Sequence, residues 1–277
     1  MKISLPNRFN TCIVIVTYNP DLCFVNNLAR HLEIVENIVV VDNNSEVPIE
    51  SMLPKLYLNK IDIIHSVENK GIAWALNVGI KKAIKLGFDW VITFDQDSMP
   101  NLNFLNHYST VLKTEKNVGL LGTQFSLDVV AVSQISWKKS LTIITSGTLH
   151  PIALFDKVGF YNEKLFIDSV DFDFSLRVKL AGYKVLRIEQ PLLSHKLGTP
   201  VRKYGIESSN HSLIRRYYYS RNHVFLTKTY CCNFPFWILK KNFFFIKSLI
   251  VLIIVENNVS NKLKTICKGI KDGYKDF

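Results

Sequence analysis

Glycine and proline are scarce in this chain, 12 and 9 of 277 residues. With 48% hydrophobic and 21% charged residues, that excludes a collagen-like repeat, a disordered chain and a low-complexity scaffold. Cysteine is equally sparse. Cys12, Cys23, Cys231, Cys232 and Cys267 are odd in number and include no C-x-x-C pair or His-Cys spacing suited to zinc, so neither a disulfide framework nor a zinc finger is expected. The N-terminus lacks a basic segment followed by an apolar stretch and a small-residue cleavage site, since the first apolar run, 12–16, is too short. The expectation is a protein that stays in the cytosol. Long uncharged hydrophobic runs are also missing. The best candidate, 234–255, carries Lys240, Lys241 and Lys247, which argues against a simple span and for an interfacial or re-entrant amphipathic segment, a core helix being the alternative. No internal repeat, Gly/Ser linker or long charge block is visible.

What remains is a folded chain, long enough for one main domain of about 200 to 230 residues plus an extension. Its net charge of +11 first points to nucleic acid or a membrane surface. Location narrows this: residues 1–200 hold 20 basic and 19 acidic side chains, while 201–277 hold 14 and 4. The excess belongs to the tail.

The first hundred residues alternate short β-branched runs with helical patterns, the rhythm of a parallel sheet built from βαβ units. Strands are expected over 11–17, 38–42, 61–66 and 90–95, and helices over 22–34 and 72–86. Two of these strands end on a carboxylate, Asp42 and Asp95. In an open α/β sheet the ligand crevice lies outside the C-terminal strand ends, so both are expected in one cleft; an ordinary turn or cap is the competing explanation for each. Further on, the pattern predicts a helix over 102–114, a strand over 119–125, irregular chain over 137–148, a helix over 171–181, a strand over 184–189, and a helical, basic tail after 201.

Several clusters carry chemistry. Asp95-Gln96-Asp97-Ser98 follows an apolar strand, and two carboxylates one residue apart can hold a hard divalent cation with sites left open for phosphate oxygens. The same pair also opens phosphatases with an aspartyl nucleophile. Asn69-Lys70-Gly71 precedes a helical pattern, where a glycine lets the backbone approach a ligand and a helix N-terminus favours phosphate; taken alone, an ordinary helix start explains it better. In 166–177, FIDSVDFDFSLR, three carboxylates fall within six residues. Asp171 can serve as a base for a sugar hydroxyl, with Asp168 and Asp173 as helpers or caps. Asp173 and Arg177 also fit a plain i,i+4 salt bridge. His195 in SHKLG follows a strand and a proline, where it could complete a carboxylate metal site or contact a diphosphate, or be structural. Finally, 215–222, RRYYYSRN, interleaves arginines and aromatics, a composition suited to phosphate or to single-stranded nucleic acid.

In order, the series VTYNP, VVVDNNS, NKGIAWALNVGI, FDQDS, SGTL, FIDSVDFDFSLR, SHKLG and RRYYYSRN resembles the family 2 inverting glycosyltransferases of the GT-A fold, and most of all the bacterial rhamnosyltransferases of polysaccharide assembly. The resemblance covers residues 11–222. It implies an α/β GT-A domain over 1–225, with a Rossmann-like nucleotide-sugar-binding half at 1–100, an acceptor and catalytic half at 101–225 and a mainly parallel central sheet. A basic, apolar helical extension over 226–277 is expected to follow, with membrane association as the expectation set by its lysines and apolar run. By resemblance, Thr17, Tyr18 and Asn19 line the nucleotide pocket and Asp42 meets the pyrimidine. Asn69, Lys70 and Gly71 lie near the nucleoside or diphosphate. Asp95, Gln96 and Asp97 serve the ribose and an Mg2+ or Mn2+ ion, with His195 as third ligand. Ser146 and Gly147 border donor sugar and acceptor, with Asp173 and Arg177 on the same sugar side, and Arg215 and Arg221 clamp the diphosphate. The family's base is commonly the Asp of a Glu-Asp pair six residues before an Arg. Here that Asp is Asp171 and the Glu position holds Val170, a departure shared by the rhamnosyltransferase-like pattern FIDxVD, which leaves Asp168 as a candidate to share the role.

The resemblance implies transfer of rhamnose from dTDP-rhamnose, or of a UDP-linked hexose, to a lipid-linked glycan of a bacterial O-antigen or capsule, with no nucleic acid partner. The expected location is cytoplasmic, peripheral at the inner face of the cell membrane. Two other classes compete. An aspartyl-nucleophile phosphatase places its D-x-D on the first strand, whereas about 90 residues of α/β pattern precede this one. A basic nucleic-acid-binding module would show steeply salt-dependent affinity and would leave the acidic clusters without a task.

Overall fold

A computed structural model describes residues 4–128, 132–195 and 200–277. The chain divides into two compact units, one of residues 1–166 and 170–196, the other of 167–169 and 197–277. The division falls near 196, so residues 201–225, expected with the glycosyltransferase body, group with the C-terminal helices instead.

The first unit is organised by β1 (Thr11–Thr17), β2 (Asn37–Asp42), β3 (Ile61–His65) and β4 (Trp90–Asp95), parallel in the order β3-β2-β1-β4. Every residue of β1 is buried. Strands covered on both faces read as continuous β-branched runs rather than as an alternation, which is why TCIVIVT announces its position. The crossovers are α1 (Cys23–Ile34) and α3 (Ile72–Lys85), with a short α2 (Lys55–Leu58) between β2 and β3. Reversal of the strand order between β1 and β4 creates the switch point at which such sheets bind ligands.

After β5 (Ser98–Pro100) and α4 (Phe104–Thr114), antiparallel pairing enters. The remaining strands are β6 (Val118–Ser126), β7 (Trp137–Lys139), β8 (Thr148–Pro151) and β9 (Lys184–His195), with α5 (Leu154–Val158) and α6 (Val170–Leu180) on the connections. The sheet continues β4-β8-β6-β9-β5, with β7 also on β9. Two expectations are corrected here. The stretch 137–148 is not wholly irregular, since it contains β7, and the strand expected over 184–189 runs on to His195. Pro191 concealed that length: β9 shifts register against β6 there, so the proline sits at an irregularity that needs no ladder donor. A core of Ile13, Ile15, Ile92, Phe94, Phe104 and Tyr108 packs under β1 and β4.

The second unit opens with a hairpin, β10 (Val201–Lys203) and β11 (Ile206–Ser208), where an all-helical tail was expected. Tyr204 and Gly205, both at positive φ, make its turn. Three helices follow, α7 (Leu213–Tyr230), α8 (Pro235–Val255) and α9 (Val259–Asp276). Ser212 caps α7 by accepting from the Arg215 N–H. Gly269 and Gly273 let α9 cross close to α7: a Cβ on Gly269 would stand 2.5 Å from the Tyr217 carbonyl oxygen.

Candidate active site

The parallel strands finish in one row. Register pairs Thr17 with Asp42, Asp42 with His65, and Val16 with Asp95. The two strand-end carboxylates therefore flank β1. Asp42 is 3% exposed and accepts hydrogen bonds from the Thr17 hydroxyl (3.1 Å), the Ser45 hydroxyl (2.5 Å) and the Ser45 N–H (3.2 Å). His65, the last residue of β3, has Nδ1 3.5 Å from Asp42 and Nε2 2.7 Å from Glu50. The bond to Glu50 raises the His65 pKa above its ordinary value, against a smaller opposing effect of burial. On Glu50, burial pushes upward, but His65 outweighs it and the carboxyl lies below its usual range. Asp42, Ser45, Glu50, His65 and Ser66 line an open cavity of about 510 Å³. Sequence reasoning missed Glu50, Ser45 and His65. The row position of His65, one strand beyond Asp42, is the signal that could have found it.

Tyr18 is half exposed, and Asn19 takes a left-handed conformation (φ 47°). The Gln96 amide holds this loop: its oxygen accepts from the Tyr18 N–H (2.8 Å) and its nitrogen donates to the Tyr18 carbonyl (3.3 Å). Gln96 thus positions the loop that carries Tyr18 and Asn19; its side chain is engaged there.

Asp95, Asp97 and His195 offer ligand atoms that all lie within 4.8 Å of one another, each residue half-buried. The tertiary cause is the antiparallel β5–β9 pair, which sets Ser98 opposite His195. His195 Nδ1 lies 3.2 Å from an Asp97 oxygen and 2.9 Å from the Ser98 hydroxyl. Behind it the Asp95 N–H donates to Ser146 Oγ (3.2 Å), and the Ser146 hydroxyl donates to Ser98 Oγ (2.7 Å). The hydrogen bond with Asp97 raises the His195 pKa, opposed by burial and assisted by the charges of Asp97 and Asp95. Two carboxylates and an imidazole fit a divalent cation such as Mg2+ or Mn2+. Lys196, Leu197 and Gly198 of the SHKLG stretch lie outside the described residues.

Ser146 and Gly147 were expected beside the sugars, but both are buried. Ser146 reaches the site through its hydrogen bonds, and Gly147 (φ 73°) packs where a Cβ would stand 2.4 Å from Leu193. They support the cluster from beneath. Asn69 accepts from the Gly71 N–H (3.0 Å) and from Asn43 (2.9 Å), while the Lys70 N–H donates to the Asn43 side chain (3.0 Å). Gly71 is needed for a neighbour within the chain: at φ 84°, a Cβ there would stand 2.5 Å from the Phe166 carbonyl oxygen, which accepts from the Ile72 N–H (2.7 Å).

Asp171 occupies the first turn of α6, with one carboxylate oxygen accepting from the Phe172 N–H (2.9 Å). The loop preceding α6 carries Tyr161. That fully buried phenol, bonded to His150 Nε2 at 2.8 Å, is raised in pKa chiefly by burial and further by the charges of Asp171 and Asp95. Asp173 and Arg177, expected on the sugar side, form an i,i+4 ion pair. Asp173 is 2% exposed, and Arg177 donates to it (3.0 Å) and to the carbonyls of Val158 and Phe160 (2.8 Å each). The two carbonyl contacts fasten α6 to the preceding loop.

Three expected residues belong to the second unit. Arg215 grips Asp168 with Nε and a terminal nitrogen at 3.1 to 3.3 Å. Asp168 and Ser169 both have positive φ, and buried Asn222 donates to the carbonyls of Ile167 and Asp168. Arg221 is enclosed by the rings of Tyr217, Tyr218 and Phe277 at 4.8 to 5.9 Å. Within this unit Arg215 holds the Asp168 carboxylate, and Arg221 lies among aromatic rings with Asp276 3.8 Å away.

A parallel half whose strand ends carry D-x-D, joined to an antiparallel half that returns a histidine to it, is the GT-A arrangement of glycosyltransferases. A family model, glycosyl transferase family 2, matches residues 12–130. The dTDP-rhamnosyl transferase RfbF of Shigella flexneri is 33% identical over 242 residues, 79% of this chain and 80% of that protein. The chain belongs to glycosyltransferase family 2 and is an enzyme of that class. Among solved structures it resembles the mannosyltransferase PcManGT from Pyrobaculum calidifontis in complex with GDP-Man and Mn2+ (TM-score 0.59, 15% identity, 97% of this chain and 76% of that one). It also resembles S. aureus TarS 1-349 in complex with UDP-GlcNAc (TM-score 0.54, 14% identity, 97% and 73%). Against a longer S. aureus TarS chain the match covers 79% of this chain and 40% of that one (TM-score 0.56, 16% identity). At these identities the structures speak for the fold alone.

Proposed function

We propose that this enzyme is a metal-dependent inverting glycosyltransferase that moves rhamnose from dTDP-rhamnose to a hydroxyl of a lipid-linked glycan in bacterial surface polysaccharide synthesis. The observation that carries the chemistry is the grouping of Asp95, Asp97 and His195 within 4.8 Å. The sugar rests on the identity with RfbF.

In this reading the nucleobase enters the cavity at Asp42 and His65, beside the loop that carries Tyr18 and Asn19. Asp95, Asp97 and His195 would hold Mg2+ or Mn2+, which when bound offsets the negative charge that grows on the departing diphosphate. Asp171 takes the proton of the acceptor hydroxyl as its oxygen bonds to C1 of the sugar. The C1–O bond to the diphosphate breaks with its electron pair, and dTDP leaves from the opposite face, inverting C1. In this reading the half-buried Asp171 and the metal-type carboxylates have different tasks: those stay ionised on a cation, whereas a base must exchange a proton. The support for a lipid-borne acceptor at the cytosolic face of the membrane is the exposed apolar side of α8.

Release of nucleoside diphosphate from a panel of dTDP- and UDP-sugars, with Mn2+, Mg2+ or a chelator, tests the reading. dTDP-rhamnose is expected to lead. Asp171→Asn is expected to lower kcat by about 10²- to 10⁴-fold with little change in donor affinity. No release from any donor, or an unimpaired Asp171→Asn, sinks it; a leading UDP-hexose moves the donor and keeps the class.

A further inference from the structure

The helix α8 has two unlike sides. Ile238, Phe245, Leu252 and Val255 face inward, and Phe245 and Leu252 cluster with Ile266 of α9. On the other side Phe236 is 87% exposed, Leu239 67%, Phe243 65%, Ile246 58%, Ile250 52% and Ile253 55%. These positions advance by alternating steps of three and four, which keeps them on one face of a helix. Six large apolar side chains in one stripe exceed the scattered exposure that soluble surfaces tolerate.

The charges along the stripe decide what it fits. Lys240 and Lys247 are exposed on the same outward side, and α8 holds no acidic residue. Residues 201–277 as a whole carry 14 basic and 4 acidic side chains. Laid against a second copy of itself, the stripe would bring lysines into an apolar seam with no carboxylate on the helix to pair them. Laid on a bilayer, the rings and branched chains enter the acyl boundary while the lysine stems reach outward to lipid phosphates. Twenty-one residues make a rod of about 30 Å, and among the described residues no helix is long and apolar enough to cross a membrane.

We propose that the outward face of α8 is a docking surface for an anionic lipid bilayer, on which the helix lies in the interfacial plane. Nothing in this depends on which sugar the enzyme transfers, and the test uses no donor. The full-length protein is mixed with vesicles of phosphatidylcholine, alone or with about one third phosphatidylglycerol, and floated on a density gradient. The protein is expected to float with the anionic vesicles and at least about tenfold less with the neutral ones. The double substitution Phe243→Ser with Ile250→Ser is expected to abolish flotation, and Lys240→Glu with Lys247→Glu to reduce it to the neutral level, both with unchanged thermal midpoint. Should the double serine variant unfold, Phe236→Ser at the exposed start of the helix gives the same reading through a partial loss. Absence of flotation by the parent protein, or serine variants that float like it, overturns the proposal. So does a parent dimer in sedimentation that the serine variants convert to monomer without any vesicle binding, since the second copy would then be the occupant.

Discussion

The two units treat charge in opposite ways. In the first, titratable groups gather at the strand ends and stay reachable: the side chains of Asp97, His65 and Glu50 are 41%, 46% and 40% exposed. In the second, an ionic group is enclosed, with the Glu256 side chain at 0%, Arg216 at 4% and Lys262 at 9%, while rings and branched chains of α8 face outward. Glu256 takes both cations, Lys262 at 2.7 Å and Arg216 closer still, and accepts from the Ser208 hydroxyl. Lys262 also donates to Asn210. One network thus ties the hairpin, α7 and the α8–α9 connection. The lesson is that the same residue types do different work by environment. The partly open Asp97 is reachable by a ligand, whereas the enclosed Glu256 is used in holding the chain.

The sharpest way to break this comparison is Glu256→Ala. It would leave Arg216 and Lys262 enclosed without a counter-charge, and the expected loss is about 3 to 5 kcal/mol of stability, measured by urea unfolding. A loss below about 1 kcal/mol would mean that water reaches the network and that the two units do not differ in this respect. The matching change in the first unit is Asp97→Ala. Because that carboxylate is partly solvated, its removal should alter stability by under about 1 kcal/mol. The rise in thermal midpoint on adding Mn2+, which mass action gives to any ligand of the native state, should disappear. A retained Mn2+ effect would place the cation elsewhere.

Much of the first unit was legible because its signals are local. A strand buried on both faces writes itself as TCIVIVT or WVITFD, and a carboxylate at its end falls at a known edge of the sheet. The strands over 11–17 and 90–95 fall where the pattern put them. What stayed hidden depends on partners distant in sequence. Gly71 looked like a place for ligand approach, and the atom that approaches it is the Phe166 carbonyl. Asn77 of α3 donates to the Tyr161 carbonyl and accepts from the Tyr161 N–H, fixing the loop ahead of α6. The interleaved arginines and tyrosines had the composition of a phosphate clamp, yet composition does not record that Asp168 lies against Arg215 or that Phe277 covers Arg221. His65 escaped because a lone histidine carries no pattern of its own; only register sets it beside Asp42.

The smallest expected effect tests whether the reachable charges of the first unit also act on each other. In the His65–Glu50 pair the histidine pKa is raised and the glutamate pKa lowered relative to 6.5 and 4.5. A raised histidine contributes stability that is complete below its unfolded pKa and is lost as pH rises through the folded one. A lowered carboxyl contributes stability that is complete above its unfolded pKa and is lost as pH falls through the folded one. Both contributions are therefore full only between those two reference values. His65→Ala should lower the thermal midpoint most near pH 5.5 to 6 and least above about pH 8, and solvent screening holds the difference below about 1 kcal/mol. Glu50→Gln should weaken the same pH dependence without abolishing it, because the neutral amide does not favour the protonated imidazole in the way a carboxylate does, while Asp42, 3.5 Å from Nδ1, still does. A His65→Ala deficit that is flat from about pH 5 to 8 would show that packing, not charge, is what the pair contributes at the cavity wall.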